Sequence, residues 1–412
     1  MRVSEVFSCY NVDMNIYFSG VSGVGIGPLA QFALGAGFKV FGSDKSPTPF
    51  SLSGAEIEIG AQDGAFLEKV NAANPIDWFV YTSALPADHP ELMTAARLNI
   101  KTTKRDDFIN FLLTAKNLKL LAIAGTHGKT TTTSLIIWAA HQLQLPISYL
   151  VGTTLPWGMA GYYDPNSQYL VYEADEFDRN FLKFHPAVSV ITAVDYDHPD
   201  IYKTRRDYLE AFEQFRFQSQ AVINNVPIDT RLTLAGELRR RNATLALTAI
   251  MTVFPDLDEN AVIAALNTFS GVGRRFEKIA EGVYSDYAHH PSEIHATLAM
   301  AWEVAKREGK AGVVAVYEPH QNSRQHEVRA GYPAAFAGVN KLYWLPTYLT
   351  REDASLEVLK PEQFIEQIPN SAPANMDENL ANNIRKDIAD NYLVLLMTAG
   401  PADEWLRKEF SK

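Results

Sequence analysis

Gly125-Thr126-His127-Gly128-Lys129-Thr130-Thr131 sets a lysine and two hydroxyls behind a glycine pair, between an apolar run (119–124) and a helical stretch (134–143). Glycines in such a turn let backbone N–H groups close around phosphate oxygens, and the helix N-terminus adds partial positive charge. Lys129 can reach the outer phosphates, and the Thr130 hydroxyl can ligate Mg²⁺. The common loop has a glycine four residues ahead of its Gly-Lys pair; this chain has Ile123 there, so the loop is a shortened form. A chance Gly-Lys-Thr in a surface turn is the plainer alternative, and the strand before and helix after weigh against it. The segment predicts a nucleoside triphosphate site, and Lys129→Ala is expected nearly to abolish turnover and leave the fold intact.

Two acidic turns follow apolar runs in the same block. Glu173-Ala174-Asp175-Glu176-Phe177-Asp178 comes after the run ending at Tyr172, and Asp195-Tyr196-Asp197-His198 after the run 188–194. Ligands of open α/β sheets bind beyond the C-terminal ends of strands. A carboxylate there is the expected second Mg²⁺ ligand, and the imidazole of His198 could hold another metal. Solvated turns are the plainer alternative, since Asp is common in turns.

A second glycine cluster, Gly20 to Gly27, lies between the first apolar run (15–18) and the first helical stretch (28–36). Gly25, Gly27 and Ala30 fit the G-x-G-x-x-G/A spacing, and Asp44 ends the next run where a ribose hydroxyl would be met. By itself this turn serves NAD, FAD, another nucleotide diphosphate or tight packing alone, so a dinucleotide-dependent oxidoreductase is a rival reading.

The elements that position these residues alternate. Apolar runs at 38–41, 78–81, 169–172, 283–287, 312–317, 341–345 and 392–398 are separated by helical stretches, including 240–268 and 293–306. Alternation of this kind predicts parallel sheets with helices on both faces. At 412 residues the chain is long enough for two or three domains. Its net charge of −11 gives no global basic field for nucleic acid or anionic membrane, so nucleotides must be held by local groups. The single cysteine, Cys9, excludes an internal disulfide framework and fits the cytoplasm. No membrane span or secretory signal is read, and residues 1–13 look like a poorly tied extension.

Taken in order, Gly20–Gly27, Thr82-Ser83-Ala84, GTHGKTTTTS (125–134), EADEFDRNFL (173–182), DYDH (195–198), GVGRRFE (271–277), DYAHHPSEI (286–294) and EPHQNSR (318–324) resemble the Mur ligase family. The motifs span nearly the whole chain. They are most similar to those of members that join L-alanine to UDP-N-acetylmuramate.

The resemblance implies an α/β fold of three domains. These are a Rossmann-like UDP-substrate domain (1–116), a P-loop ATPase domain (117–273) and a Rossmann-like amino-acid domain (274–412). It implies ATP and Mg²⁺ as cofactors, cytoplasmic peptidoglycan precursor synthesis, and a monomer or homodimer. ATP phosphorylates the lactyl carboxylate, and the amine of alanine attacks the acyl phosphate. By the same resemblance Thr130 and Glu173 hold one metal and His198 the other, with Lys129, Glu173 and His198 catalytic. Gly125 to Thr131, Asn242, Arg275 and Asp286 bind ATP. Gly20, Gly23, Gly25, Asp44 and Ser83 bind the UDP half. Tyr287, His289, His320 and Arg324 bind the amino acid, while His289-His290 could instead cap the helix beginning at Pro291.

Three departures stand out. The stretch between Asn224-Asn225 and Gly236 is short, so the central domain is trimmed. Leu238-Arg239 replaces the family's His-Asn pair on the adenine side. Gln321 replaces one of two arginines expected near the amino-acid carboxylate. The Glu-Pro and Asn of that last segment also resemble ligases that attach a preformed tripeptide to the same sugar nucleotide. A homologue that binds nucleotide without turnover is disfavoured by the retained Lys129, Thr130, Glu173, His198 and Asp286.

Overall fold

The computed structural model describes residues 14–410 except 83, 84, 197, 199, 200 and 351. In the first part, strands β1 (Asn15–Ser19), β2 (Lys39–Asp44), β3 (Glu56–Ile59), β4 (Trp78–Tyr81) and β5 (Lys101–Lys104) alternate with helices α1 (Gly27–Gly35), α2 (Ala65–Ala73), α3 (Pro90–Arg97) and α4 (Arg105–Ala115). They form a parallel sheet of order β3-β2-β1-β4-β5. Successive residues of β1 enter opposite layers: Ile16 and Phe18 join one buried cluster, and Tyr17 joins another with Phe79. Burial on both faces is why this strand reads as a continuous apolar run.

The middle part contains β6 (Lys119–Ala124), α5 (Lys129–Gln142), β7 (Ser148–Leu150), β8 (Gly161–Tyr162), β9 (Tyr169–Glu173), β10 (Val188–Ile191), α6 (Arg205–Gln218), β11 (Ala221–Ile223), α7 (Glu237–Val253) and α8 (Glu259–Asn267). Its sheet has the order β11-β10-β6-β9-β7-β8, parallel except for β8 against β7. Between β11 and α7 no strand occurs.

The last part contains β12 (Glu277–Ala280), β13 (Val283–Asp286), α9 (Pro291–Arg307), β14 (Gly312–Glu318), α10 (Asn322–Val328), α11 (Tyr332–Ala335), β15 (Lys341–Trp344), α12 (Glu362–Ile365), β16 (Ser371–Pro373), α13 (Glu378–Ala389), β17 (Tyr392–Thr398) and α14 (Ala402–Phe410). The sheet order is β12-β13-β17-β14-β15-β16, parallel except for β12. Along β14, Val313, Ala315 and Tyr317 face one core and Val314 and Val316 the other.

By contacts the chain forms two compact units. One comprises 1–227 and 242–268, and therefore holds the first two sheets; the other comprises 228–241 and 269–412. Among the described residues no helix is long and apolar enough to cross a membrane.

Several boundaries differ from the sequence expectation by a few residues, and three of the differences have a clear cause. Helix α5 begins at Lys129, not Ser134, because Gly128 at φ +88° ends the loop and the weak helix formers Thr132, Thr133 and Ser134 are buried in the core. Strand β10 stops at Ile191, three residues early, because the next residues bond to the phosphate loop. The helical region 240–268 divides at 254–258, where Asp258 caps α8 by accepting the Asn260 N–H.

Candidate active site

The phosphate loop lies between β6 and α5, as expected, and two of its glycines have left-handed backbones, Gly125 at φ +136° and Gly128 at φ +88°. A Cβ on Gly128 would sit 2.8 Å from the Asn242 side-chain oxygen, so buried Asn242 packs on the loop itself. A Cβ on Gly125 would lie 2.2 Å from Thr192 Oγ1. Thr126 and His127 are tied to the end of β10. Thr126 donates its N–H to the Ala193 carbonyl at 2.6 Å, and its hydroxyl meets the Asp195 carbonyl and the Tyr208 hydroxyl. Thr192 donates to the His127 carbonyl at 2.5 Å, and the His127 ring lies 3.7 Å from Asp195. These two loop residues shape the turn; Lys129 and Thr130 stand on the first turn of α5.

Lys129 Nζ donates to the Gly125 carbonyl and to Glu176 Oε2, both at 2.6 Å. Burial opposes its charge, but Glu176, Asp175 and Glu173 outweigh that and hold the ammonium above its ordinary value. Thr130 donates to Glu173 Oε2 at 3.0 Å, and Glu173 Oε1 accepts the Gly152 N–H at 3.2 Å. His198, at φ +57°, turns its ring against Phe177 and brings Nε2 within 3.9 Å of Glu176 Oε1. Two predicted metal ligands, Thr130 and Glu173, therefore meet each other, while His198 meets the carboxylate that holds Lys129. Its neighbour Asp197 in the DYDH turn lies outside the described residues.

No group of three His, Cys, Asp or Glu able to cage a metal exists among the described residues. A hydroxyl and one carboxylate oxygen nevertheless suit Mg²⁺, which is commonly held by one or two protein oxygens with substrate phosphates and water.

The glycine turn after β1 is built by backbone bonds: the N–H groups of Gly20, at φ +90°, and Val21 both donate to the Ser43 carbonyl, and Gly23 donates to Gly20. Asp44 ends β2, but its two oxygens accept the N–H groups of Ser22 (2.8 Å) and Ser46 (3.0 Å). It therefore braces the turn, keeping lone pairs with which to accept from a ligand. Ser83 lies outside the described residues.

Turn and loop face a common cleft lined by Gly25, Arg105, Lys129, Gly152, Glu173 and Asp175 among others. Sequence reasoning passed over two residues here. Glu176 stands in a quoted motif without a role, and Arg105 stands in no motif and follows a strand too polar to read from the sequence.

In the other compact unit, Asp286 ends β13 and accepts the N–H groups of Phe276 (2.7 Å) and Ala288 (2.8 Å). Burial pushes its carboxyl up, against the pull of Arg275 and of these N–H bonds. The Arg275 guanidinium stacks 4.5 Å from the Tyr287 ring centre. Tyr287, His289 and His320 form a row, with ring centres 5.5 and 5.6 Å apart in turn. His290, not His289, caps α9, completing a capping box with Glu293. Arg324 lies on α10, within electrostatic reach of the buried Tyr317 and Tyr332 phenols. Gln321, at φ +63°, uses its side-chain amide on the Thr350 carbonyl at 3.3 Å. Arg239 lies over Phe269, 5.1 Å from the ring centre, and burial lowers its pKa to about 10.

Comparison with known proteins agrees along the chain. The model of the Mur ligase family, catalytic domain, matches residues 15–117, and that of the Mur ligase middle domain matches 123–250. A UDP-N-acetylmuramate–L-alanine ligase of Kineococcus radiotolerans is 31% identical over 400 aligned positions, covering 83% of each chain. One from Clostridium acetobutylicum is 29% identical over 453 positions, covering 95% of this chain and 96% of its own. The crystal structure of the UDP-N-acetylmuramate–alanine ligase of Thermotoga maritima superposes with a TM-score of 0.75 at 21% identity, covering 96% of this chain and 98% of that one.

Proposed function

Because this chain belongs to the Mur ligase family of ATP-dependent, ADP-forming ligases, we propose that it joins L-alanine to the lactyl carboxylate of UDP-N-acetylmuramate in the cytoplasm. The observation that carries this reading is the cleft in which the Gly25 turn faces Lys129 and Glu173. A dinucleotide oxidoreductase would leave that phosphate loop without a purpose. The names of relatives about 30% identical over most of the chain support the choice of substrates.

In this reading 1–116 takes the UDP half, 117–273 the ATP and 274–412 the amino acid. The reaction brings an anionic carboxylate up to an anionic phosphate, so its barrier is largely electrostatic. Lys129, charged and anchored, meets the outer phosphates, and the amides of the loop hold the inner ones. Thr130 and Glu173 would hold Mg²⁺, with His198 near a second position; the metal supplies charge neutralisation on the phosphate oxygens. Asn242 fixes the loop, and Arg275 and Asp286 are assigned to the nucleotide. Tyr287, His289, His320 and Arg324 are assigned to alanine, whose carboxylate matches the planar guanidinium fork of Arg324.

The test is ADP release with UDP-N-acetylmuramate, ATP and a panel of glycine, L-alanine, L-serine and a cell-wall tripeptide, with products identified by mass. Turnover with L-alanine is expected. Turnover with the tripeptide alone would assign the chain to the recycling branch of the family.

A further inference from the structure

The cleft wall beside the glycine turn carries a cation that belongs to none of the motifs. Arg105 opens α4 directly after β5, at the C-terminal ends of the first sheet's strands. Its Nε donates to Asp106 Oδ1 at 3.3 Å, and the same oxygen accepts the Tyr172 hydroxyl at 3.2 Å. The guanidinium also lies 6.0 Å from the Tyr172 ring centre. Buried Asp106 and Tyr172 thus fix the fork from behind.

Its front meets the glycine turn: a Cβ on Gly25 would come within 2.7 Å of Nη1, so glycine leaves the guanidinium room beside the backbone. Among the described residues Nη1 and Nη2 donate to no protein acceptor. Within this cleft the lining cations are Arg105 and Lys129. Lys129 is engaged by the ATP loop and Glu176, which leaves Arg105 for a second polyanion.

We propose that Arg105 binds the diphosphate of the sugar nucleotide where it passes over Gly25. The inference rests on the reading that the first sheet takes the UDP half. A planar fork with free N–H donors matches two phosphate oxygens at once, whereas lysine offers a point charge. The bond to Asp106 holds the fork in place before the ligand arrives, which lowers the ordering cost of binding. A diphosphate gripped there brings the sugar into the cleft that also holds Lys129.

The experiment is calorimetric titration of the full chain with UDP and, separately, with ATP, for wild type, Arg105→Ala, Arg105→Gln and Arg105→Lys, with thermal melts as the folding control. Loss of one charge-assisted contact should weaken UDP binding about ten- to a hundredfold, with Arg105→Lys intermediate and ATP affinity within about twofold of wild type. KM for UDP-N-acetylmuramate should rise in parallel. Should Arg105→Ala not fold, the Gln and Lys variants carry the test. Wild-type-like UDP binding in a folded Ala or Gln variant overturns the inference, including when only UDP-N-acetylmuramate is weakened, which would place Arg105 on the sugar's carboxylate. Equal loss of UDP and ATP affinity overturns it too. A wild-type chain that does not bind UDP would instead defeat the sugar-nucleotide reading itself.

Discussion

Lys129→Ala should do more than stop catalysis. Lys129 and Glu176 form a 2.6 Å ion pair in which the carboxylate side chain is 1% exposed and the lysine 17%. Removing one partner of a buried pair typically costs about 3–5 kcal/mol, because the other is left uncompensated. We therefore expect Lys129→Ala to lose about 3–5 kcal/mol, or roughly 6–20 °C in melting temperature for a unit of this size class. Turnover should fall about a hundredfold or more, since the lysine stabilises charge that develops in phosphoryl transfer.

The double variant Lys129→Ala/Glu176→Gln separates the two effects. With no stranded carboxylate it should recover most of the lost stability and none of the activity. Thermal unfolding and ADP release on the four members of the cycle give both readings. A single variant that melts within about 2 °C of wild type would refute the stabilising role of the pair. A double variant with restored turnover would refute the catalytic role of Lys129.

Arg324→Ala should raise the KM for L-alanine roughly ten- to a hundredfold and leave that for ATP alone, as expected for one lost charge-assisted contact; an unchanged alanine KM removes Arg324 from the site. Gly161→Ala should cost about 3 kcal/mol or more in urea unfolding, since its Cβ would lie 1.7 Å from the Pro28 carbonyl oxygen of α1; a loss under about 1 kcal/mol would show that β8 can lift from α1 freely. Asp286 titrates higher in the folded chain than its unfolded value of 3.8, so the folded state binds more protons and this group's contribution to stability declines as pH rises from 3.8 through the raised value. Asp286→Asn should flatten that part of the stability–pH curve, and a steeper curve in the variant would reverse the assignment.

Where a strand is buried on both faces, the sequence states it plainly: β6 and β17 occupy 119–124 and 392–398, the limits read from their apolar runs. The edge strands were illegible for the opposite reason. Glu-Ile-Glu-Ile of β3 and Lys-Thr-Thr-Lys of β5 are polar and partly exposed, and they are strands because β2 and β4 offer them partners. The glycine turn and phosphate loop were legible because φ above zero and close backbone approach demand particular residue types. Contacts between distant segments were not. Nothing local marks Gln31, whose side-chain oxygen accepts the N–H groups of Ala160 (3.1 Å) and Gly161 (3.0 Å) and so joins α1 to β8. Asp44 ends β2, as its apolar run predicts, yet only the fold reveals that its oxygens brace Ser22 and Ser46.

On the proposed reading, the ion pairs of the cleft also bear on how a chain of net charge −11 would hold two polyanions. Its long-range field repels them, so affinity must come from cations close to the phosphates, where Coulomb attraction is least screened. Each cation in the cleft is held by a carboxylate of its own, Lys129 by Glu176 and Arg105 by Asp106. Such a partner weakens the attraction to phosphate, because the ligand must compete with it. It also holds the cation in one orientation, so less side-chain entropy is lost on binding. The two cases differ in kind. Arg105 can keep Asp106 through Nε while Nη1 and Nη2 bind a ligand, because its donors point in separate directions. Lys129 bonds Glu176 and the Gly125 carbonyl through one small ammonium, so engaging a phosphate must weaken at least one of those contacts. On the proposed reading, binding at Arg105 therefore adds to the resting arrangement, whereas phosphate binding at Lys129 replaces part of it, so the ATP side is the one that must rearrange.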